Sequence, residues 1–159
     1  MLRKTGVIFA FAAVHELSTR VPAIYKDVKS GVVVKIGGIP WFNAMDAGIK
    51  ARSKELGDDG FMFGPTSADP ALQVRAIEDL IAKGVDVIGV VPNAAKVLEP
   101  VLKKARDAGI IVITHESPTQ KNANWHVEMA SAKAYAAAHP NLLPERMGVK
   151  GKYVVTVGS

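Results

Sequence analysis

The stretch VVVKIGGIPWFNAMDAGIK, Val32–Lys50, decides the fold class, because a β-branched run passes through two glycines into a helical pattern. The run Val32–Ile36 predicts a buried strand, and Ala44–Leu56 predicts an amphipathic helix that ends at Gly57. A strand, a turn and a helix in this order form the first part of a βαβ unit, whose strands are parallel. The stretch therefore predicts an α/β fold.

Trp41 and Phe42 lie in the predicted turn between this strand and this helix. In an open α/β sheet, the loops at the carboxyl ends of the strands form the ligand crevice. We therefore expect both aromatic rings to be exposed at this turn and to face a ligand rather than the core.

The alternation of short apolar runs and helical patterns continues beyond Lys50. Further strands are predicted at Phe61–Phe63, Val85–Val91 and Ile110–Thr114. Asp69 followed by Pro70 predicts the start of one helix, and Asn93 predicts the N-cap of the next. The residues expected to face the core are Leu72, Ile77, Leu80 and Ile81 on the first helix and Val97, Val101 and Leu102 on the second. The predicted architecture is a three-layer parallel sheet with helices on both faces, as in flavodoxin-like and Rossmann-like folds.

The composition is typical of a globular domain with one sizeable core, since 48% of the 159 residues are hydrophobic and 22% are charged. The formal charge is +5, but lysine and arginine are interspersed with acidic residues along the predicted helices. A protein that binds nucleic acid typically has a basic stripe with interleaved aromatic rings, and this pattern is missing here. We therefore expect no nucleic-acid partner. The absence of cysteine excludes disulfides and zinc–thiolate sites.

The N-terminal segment has some features of a secretory signal peptide. Arg3 and Lys4 precede the apolar run Gly6–Val14, which has a suitable length. Charged residues after this run, such as Glu16, are unusual before a cleavage site. The alternatives are a first strand or a non-native N-terminus.

Polar residues lie near or just after the ends of three predicted strands. Lys35 lies near the end of an apolar strand, where a buried ammonium is costly unless an anionic or strongly polar group meets it. The alternative is that Lys35 extends into solvent. Strand ends of a doubly wound sheet can face one crevice, and charged or amide groups beside aromatic rings suit a sugar or polyol. The predicted ligand-binding residues are Lys35, Trp41, Phe42, Asn93, His115 and Glu116.

Other site chemistries are not favoured by the pattern. Gly37 and Gly38 lack the third glycine that a dinucleotide-binding fold needs, and no Walker pattern occurs. The His and Glu residues at positions 115, 116, 126 and 128 match no established zinc spacing. No second carboxylate or base is placed at a defined distance from Glu116. We therefore expect no cofactor, no metal and no catalytic residue.

Four segments follow one another in a recognisable order: KIGGIPWFNAMDAGIK, GPTSADPALQVRAIEDLIAKGVDVIGVVPN, VLEPVLKKARDAGIIVITHES and GKYVVTVGS. Together they resemble the sugar-type periplasmic binding proteins of ABC importers, which have the type I fold, and most closely the branch of autoinducer-2 and rhamnose binding proteins. The resemblance covers Gly31–Ser159. It implies a periplasmic protein, not an enzyme, with two α/β lobes that close on a small polyhydroxylated ligand and present it to a membrane permease.

The resemblance also implies roles for individual residues. The family's lysine after the first strand corresponds to Lys35, and its aromatic pair corresponds to Trp41 and Phe42. The family's acid after the fourth strand, often aspartate, is here Glu116. Relatives commonly have an acid after the PN of the third strand, where this chain has two alanines, which removes a helix cap.

The family's chains are longer than this one, so the resemblance implies a fragment or a truncated form. The predicted division is an N-terminal segment at 1–30, lobe one with its crossing segment at 31–125, and the beginning of a second lobe at 126–159.

In this second lobe we expect a helix from about Val127, a break near His139 caused by Pro140 and Pro144, and a strand near the end of the chain. Apolar surface left uncovered on these elements is expected to favour self-association.

Interpretations from other classes remain open. A small α/β enzyme, or a flavodoxin-like module, would use the same crevice residues on a small polar substrate. The effector-binding core of a sugar-responsive repressor shares the fold, but residues 1–30 show no helix-turn-helix pattern.

Overall fold

The computed structural model describes residues 27–129 and, beyond them, residues 131, 133, 134, 136, 137, 148, 151, 152 and 154. Strands and helices alternate along the chain in the order β1 Lys29–Val33, α1 Pro40–Leu56, β2 Asp59–Phe63, α2 Pro70–Ala82, β3 Val87–Val90, α3 Ala95–Asp107, β4 Ile111–His115 and β5 Trp125–Val127. None of the helices among the described residues has the length and hydropathy needed to cross a membrane.

The strands form one sheet in the order β2-β1-β3-β4-β5. β1 pairs in parallel with β2 and β3, and β3 pairs in parallel with β4. The chain moves from β1 outward to β2 and then returns past β1 to β3, so the strand order reverses between β1 and β3. Such a reversal opens a crevice at the carboxyl ends of the strands. The predicted α/β architecture is confirmed.

Successive side chains along a strand point to opposite faces of the sheet, so the apolar residues form two clusters, one on each face. The larger cluster joins β1, β3 and β4 to α2 and α3, and its largest fully buried members are Val33, Ile77, Ile88, Val90, Leu98, Leu102 and Val112. The smaller cluster joins Val34 and Val91 to Phe42 of α1. Helices therefore cover both faces of the sheet.

Local signals for helix ends act as the sequence predicts. The Asp69 carboxylate accepts a hydrogen bond from the Ala71 N–H at 2.8 Å, and Pro70 occupies the first position of α2. Gly57 follows α1 with a φ of 74°, a left-handed conformation that glycine adopts without strain, and its N–H donates to the Ser53 carbonyl at 2.8 Å.

Two predicted boundaries near the crevice are wrong. β1 covers Lys29–Val33 and not Val32–Ile36. Helix α1 begins at Pro40 and not at Ala44, because proline has a helical φ already and needs no N–H partner at the first helical position. Trp41 is therefore a residue of the first helical turn and not of a loop.

Two predictions about α3 are also wrong. The N-cap is Ala94, which makes no side-chain hydrogen bond, and Asn93 lies one residue earlier. Val97, expected in the core, is 51% exposed, and the buried stripe is instead formed by Leu98, Val101, Leu102 and Ala105.

The chain divides at His126 into two units, Met1–His126 and Val127–Ser159. The helix expected from Val127 does not begin there, because Val127 belongs to β5. Just before β5, Asn124 accepts from the Val112 N–H and donates to the Val112 carbonyl, which keeps the chain extended beside β4. The described helical residues of the second unit are Lys133, Ala134, Ala136 and Ala137.

The break predicted at Pro140 and Pro144 and most of the strand predicted near the end lie outside the described residues. The division of the chain at 1–30, 31–125 and 126–159 also stays a prediction.

Candidate functional site

An ion pair between Lys35 and Glu116 joins two strand ends of the crevice, with 3.0 Å between Lys35 Nζ and Glu116 Oε2. Lys35 lies two residues after β1, and Glu116 follows β4 directly. β3 lies between these strands, so their ends are about 10 Å apart, and the two side chains meet above the end of β3. Both are about one third exposed. The pair therefore contributes no more than about 1 kcal/mol to stability and is accessible to a ligand.

The backbone of Glu116 has a φ of 56°, which is uncommon for a residue other than glycine. Its second carboxylate oxygen, Oε1, lies 3.8 Å from His115 Nε2. The carboxylate is thus located between a lysine and a histidine, both of which can donate hydrogen bonds. Left-handed residues of this kind cluster at ligand sites, where the surrounding structure holds them in place.

Asn93 follows β3 and therefore lies between the strand ends that carry Lys35 and Glu116. Its backbone N–H donates to Gln73 Oε1 at 2.8 Å. Its side-chain Nδ2 is buried and has no hydrogen-bond acceptor in the part of the chain that the structure describes. A buried donor without an acceptor costs about 1–3 kcal/mol, so an acceptor atom of a ligand would be favourable at this position.

The two aromatic rings lie in different environments. Trp41 is 46% exposed, whereas Phe42 is 3% exposed and packs against Val34 and Val91. Consecutive helical residues point about 100° apart, so when α1 begins at Pro40 one ring faces outward and the next faces the core. The expectation that Phe42 is exposed is wrong, and its contact with a ligand stays a prediction, as do the contacts of the other five residues.

The structure brings Lys35, His115 and Glu116 together and places Asn93 at the strand end between them. Sequence reasoning missed Gln73, a fully buried side chain that contacts this end of the sheet. The signal in the sequence was its helical spacing. Gln73 lies four residues before Ile77 and seven before Leu80, which places it on the apolar face of α2. Within the described residues, no group of three or more His, Cys, Asp or Glu side chains could hold a metal ion.

Glu99 of α3 anchors the segment that follows the site residues of β4. Its Oε1 accepts from the Lys121 N–H at 2.7 Å, and its Oε2 accepts from the backbone N–H and the side-chain Nδ2 of Asn122 at 3.0 and 2.5 Å. Desolvation by burial acts to raise the pKa of the Glu99 carboxyl, but these hydrogen bonds together lower the pKa below its ordinary value.

We expect Glu99→Gln to lower the free energy of unfolding by up to about 1 kcal/mol at neutral pH, because an amide offers one acceptor oxygen to donors on both sides while solvent screens part of the interaction. Since the folded state lowers the pKa of Glu99, this contribution is present above the pKa of the unfolded chain and is lost as the pH falls through the folded value. Urea unfolding near pH 7 and near pH 3 should show the difference closing in acid. Glu78→Gln, which removes an exposed partner of Lys104, is the control. A difference independent of pH would contradict the prediction.

Comparison with known proteins gives one family and a consistent group of relatives. Residues 30–159 match the family model described as "Periplasmic binding protein domain". The chain is 34% identical over 105 residues to the D-ribose/D-allose-binding protein of Pseudomonas aeruginosa, an alignment that covers 64% of this chain and 31% of the relative.

Two solved structures resemble the fold closely. An ABC transporter solute-binding protein from Clostridium phytofermentans, with bound L-rhamnose, superposes with a TM-score of 0.71 at 27% identity and covers 76% of this chain and 38% of its own. One from Burkholderia graminis, in complex with D-arabinose, has a TM-score of 0.69 at 28% identity over 76% of this chain and 42% of its own. The chain spans about a third of the length of the curated relative and less than half of either structure.

Proposed function

The chain belongs to the periplasmic binding protein family, and on this premise we propose that its crevice binds a small sugar or polyol for import by an ABC transporter. The predicted resemblance to this family is confirmed by the family model. The similar proteins found are sugar-binding proteins and transporter solute-binding proteins, not enzymes. The alternative of a small α/β enzyme or flavodoxin-like module is therefore not favoured.

The observation that carries this proposal is the Lys35–Glu116 pair above the end of β3, with the buried Asn93 Nδ2 beneath the same edge of the sheet. A sugar hydroxyl both donates and accepts, so one hydroxyl can donate to the Glu116 carboxylate and accept from the Lys35 ammonium. A second oxygen of the ligand would accept from Asn93 Nδ2 once the Asn93 side chain turns outward from its buried position. These groups recognise neighbouring hydroxyls of a polyol and not an isolated charge.

Trp41 supports the same class of ligand. Its ring is about half exposed at the beginning of α1, after the loop that contains Lys35. The C–H face of a sugar ring packs on an aromatic ring while the hydroxyls bind polar groups. Phe42, buried behind it, would fix the position of the first turn of α1.

The location and partners follow from the family and are part of the proposal. The protein would act in the periplasm and deliver its ligand to an inner-membrane ABC permease. Residues from 126 onward would begin the second lobe that the resemblance to this family implies. Self-association through exposed apolar residues of this part, such as Val127 and Met129, is a further expectation.

We expect a sugar that binds the crevice to raise the thermal unfolding midpoint of the 159-residue chain. Binding to the native state alone stabilises it by about 2.7 kcal/mol when the free ligand is at 100 times its Kd. The panel is L-rhamnose, D-arabinose, D-ribose and D-allose. The shift should disappear in Lys35→Ala and in Glu116→Gln, because each substitution removes one partner of the same hydroxyl.

Lys50→Ala is the matched control, since Lys50 also forms an ion pair, with Asp46, on the exposed side of α1. It should keep the full ligand-induced shift. A shift that survives in both crevice variants, or that is lost equally in Lys50→Ala, would show that the sugar binds elsewhere.

A further inference from the structure

We infer that Gln73 is a positioning residue for the crevice: its side-chain amide ends the pairing of β1 with β3 and fixes Asn93. Gln73 is 0% exposed, although it is a polar side chain at the N-terminal end of the buried, otherwise apolar face of α2. Its Nε2 donates to the Val34 carbonyl at 3.0 Å and to the Val91 carbonyl at 2.9 Å. Its Oε1 accepts from the Asn93 N–H at 2.8 Å.

These contacts lie where the strand order reverses. The last backbone bond between β1 and β3 runs from the Val91 N–H to the Val33 carbonyl at 2.9 Å. In a continuing parallel ladder, the Val91 carbonyl would next accept from the N–H of Lys35, two residues after Val33. It accepts from Gln73 instead. The amide thus takes the place of one ladder bond, and Lys35 can leave the line of the sheet toward Glu116.

The orientation of the amide is determined by its three partners. Two carbonyl oxygens require the NH₂ group, and the Asn93 N–H requires the oxygen, so a flipped amide would face its oxygen toward two other oxygens. A glutamate would bring a carboxylate against the same carbonyls, and an apolar side chain would leave three backbone groups without a partner. Only glutamine has this shape with these donors and an acceptor.

Two predicted ligand contacts therefore depend on one residue that does not itself line the crevice. Gln73 holds the backbone of Asn93, whose buried side-chain donor has no acceptor among the described residues, and it holds Val34, the residue before Lys35. Its expected effect on sugar affinity rests on the proposed function. Its effect on the backbone at Asn93 does not rest on the proposed function.

The experiment compares hydrogen exchange of backbone amides by NMR in the full chain and in Gln73→Met, which keeps an unbranched side chain of similar volume. Loss of the hydrogen bond should make the Asn93 N–H exchange at least about 10-fold faster relative to the Val91 N–H, which reports general loosening of the same strand end. Gln120→Met is the matched control, because Gln120 Nε2 binds the Ala95 carbonyl away from β1. It should leave that ratio unchanged.

An unchanged ratio in Gln73→Met would overturn the inference, since Gln73 would then contribute only to general stability. If this variant does not fold, hydrogen exchange in the unchanged chain still tests the inference. The side-chain NH₂ protons of Gln73 should exchange at least about 100-fold more slowly than those of the exposed Asn43. Similar rates for the two side chains would overturn the inference. For a sugar that binds the unchanged chain, Gln73→Met should weaken affinity at least about 10-fold. If no sugar binds the unchanged chain, the proposed function fails while the exchange data still test Gln73.

Discussion

The Gly64→Ala variant is expected to unfold with a free energy roughly 3 kcal/mol lower than that of the unchanged chain. A Cβ at Gly64 would lie 2.5 Å from the Cα of Gly37 and 2.7 Å from its nitrogen. These are backbone atoms, so neither can rotate away, and the loops after β1 and β2 must separate. That separation would also strain the hydrogen bond from the Gly37 N–H to the Pro65 carbonyl. Urea unfolding measures the loss directly.

Gly48→Ala is the control for this substitution. Gly48 lies inside α1, where an added Cβ meets nothing within 4 Å. Alanine in a helix is more favourable than glycine by up to about 1 kcal/mol, so this variant should gain stability. Equal losses in both variants would contradict the proposed contact between the loops.

The second large effect is expected for Leu98→Ala. Leu98 is 0% exposed in the cluster between the sheet, α2 and α3. Removing its branched side chain should cost about 3 kcal/mol, through lost transfer energy and the cavity left behind. Val97→Ala, one residue earlier, should change stability by less than about 0.5 kcal/mol, because Val97 is 51% exposed.

This pair of variants tests directly how α3 is rotated about its own axis, that is, which of its faces packs against the sheet. The sequence predicted Val97 in the core, and the structure places Leu98 there. A greater loss for Val97→Ala than for Leu98→Ala, measured by urea unfolding, would show that α3 presents the other face to the sheet.

The order of the elements could be predicted because local chemistry specifies it. Asp69 with Pro70 fixes the start of α2, and Gly57 fixes the end of α1, each through groups that are neighbours in sequence. The rotation of α3 could not be predicted in the same way. Positions 97 and 101 match a helical stripe as well as positions 98, 101, 102 and 105 do, and only packing against the sheet decides between them.

The candidate site was predictable as a group of residues at strand ends, but its internal contacts were not. The pairing of Lys35 with Glu116 depends on a separation across β3 that sequence does not give. The burial of Phe42 depends on where α1 begins, and a shift of a few residues changes which ring faces outward. Gln73 was missed because its three partners lie just after β1 and β3, which are distant from it in sequence.

The most direct test of the crevice is an NMR titration of the ¹⁵N-labelled chain with L-rhamnose, D-arabinose and D-ribose. We predict saturable shifts of the backbone amides of Lys35, Asn93 and Glu116 and of the Trp41 indole N–H. The amides of Gly84 and Gly109, at the opposite ends of β3 and β4, should not move. Shifts concentrated at those two glycines, or no shift with any sugar up to its solubility limit, would contradict the account.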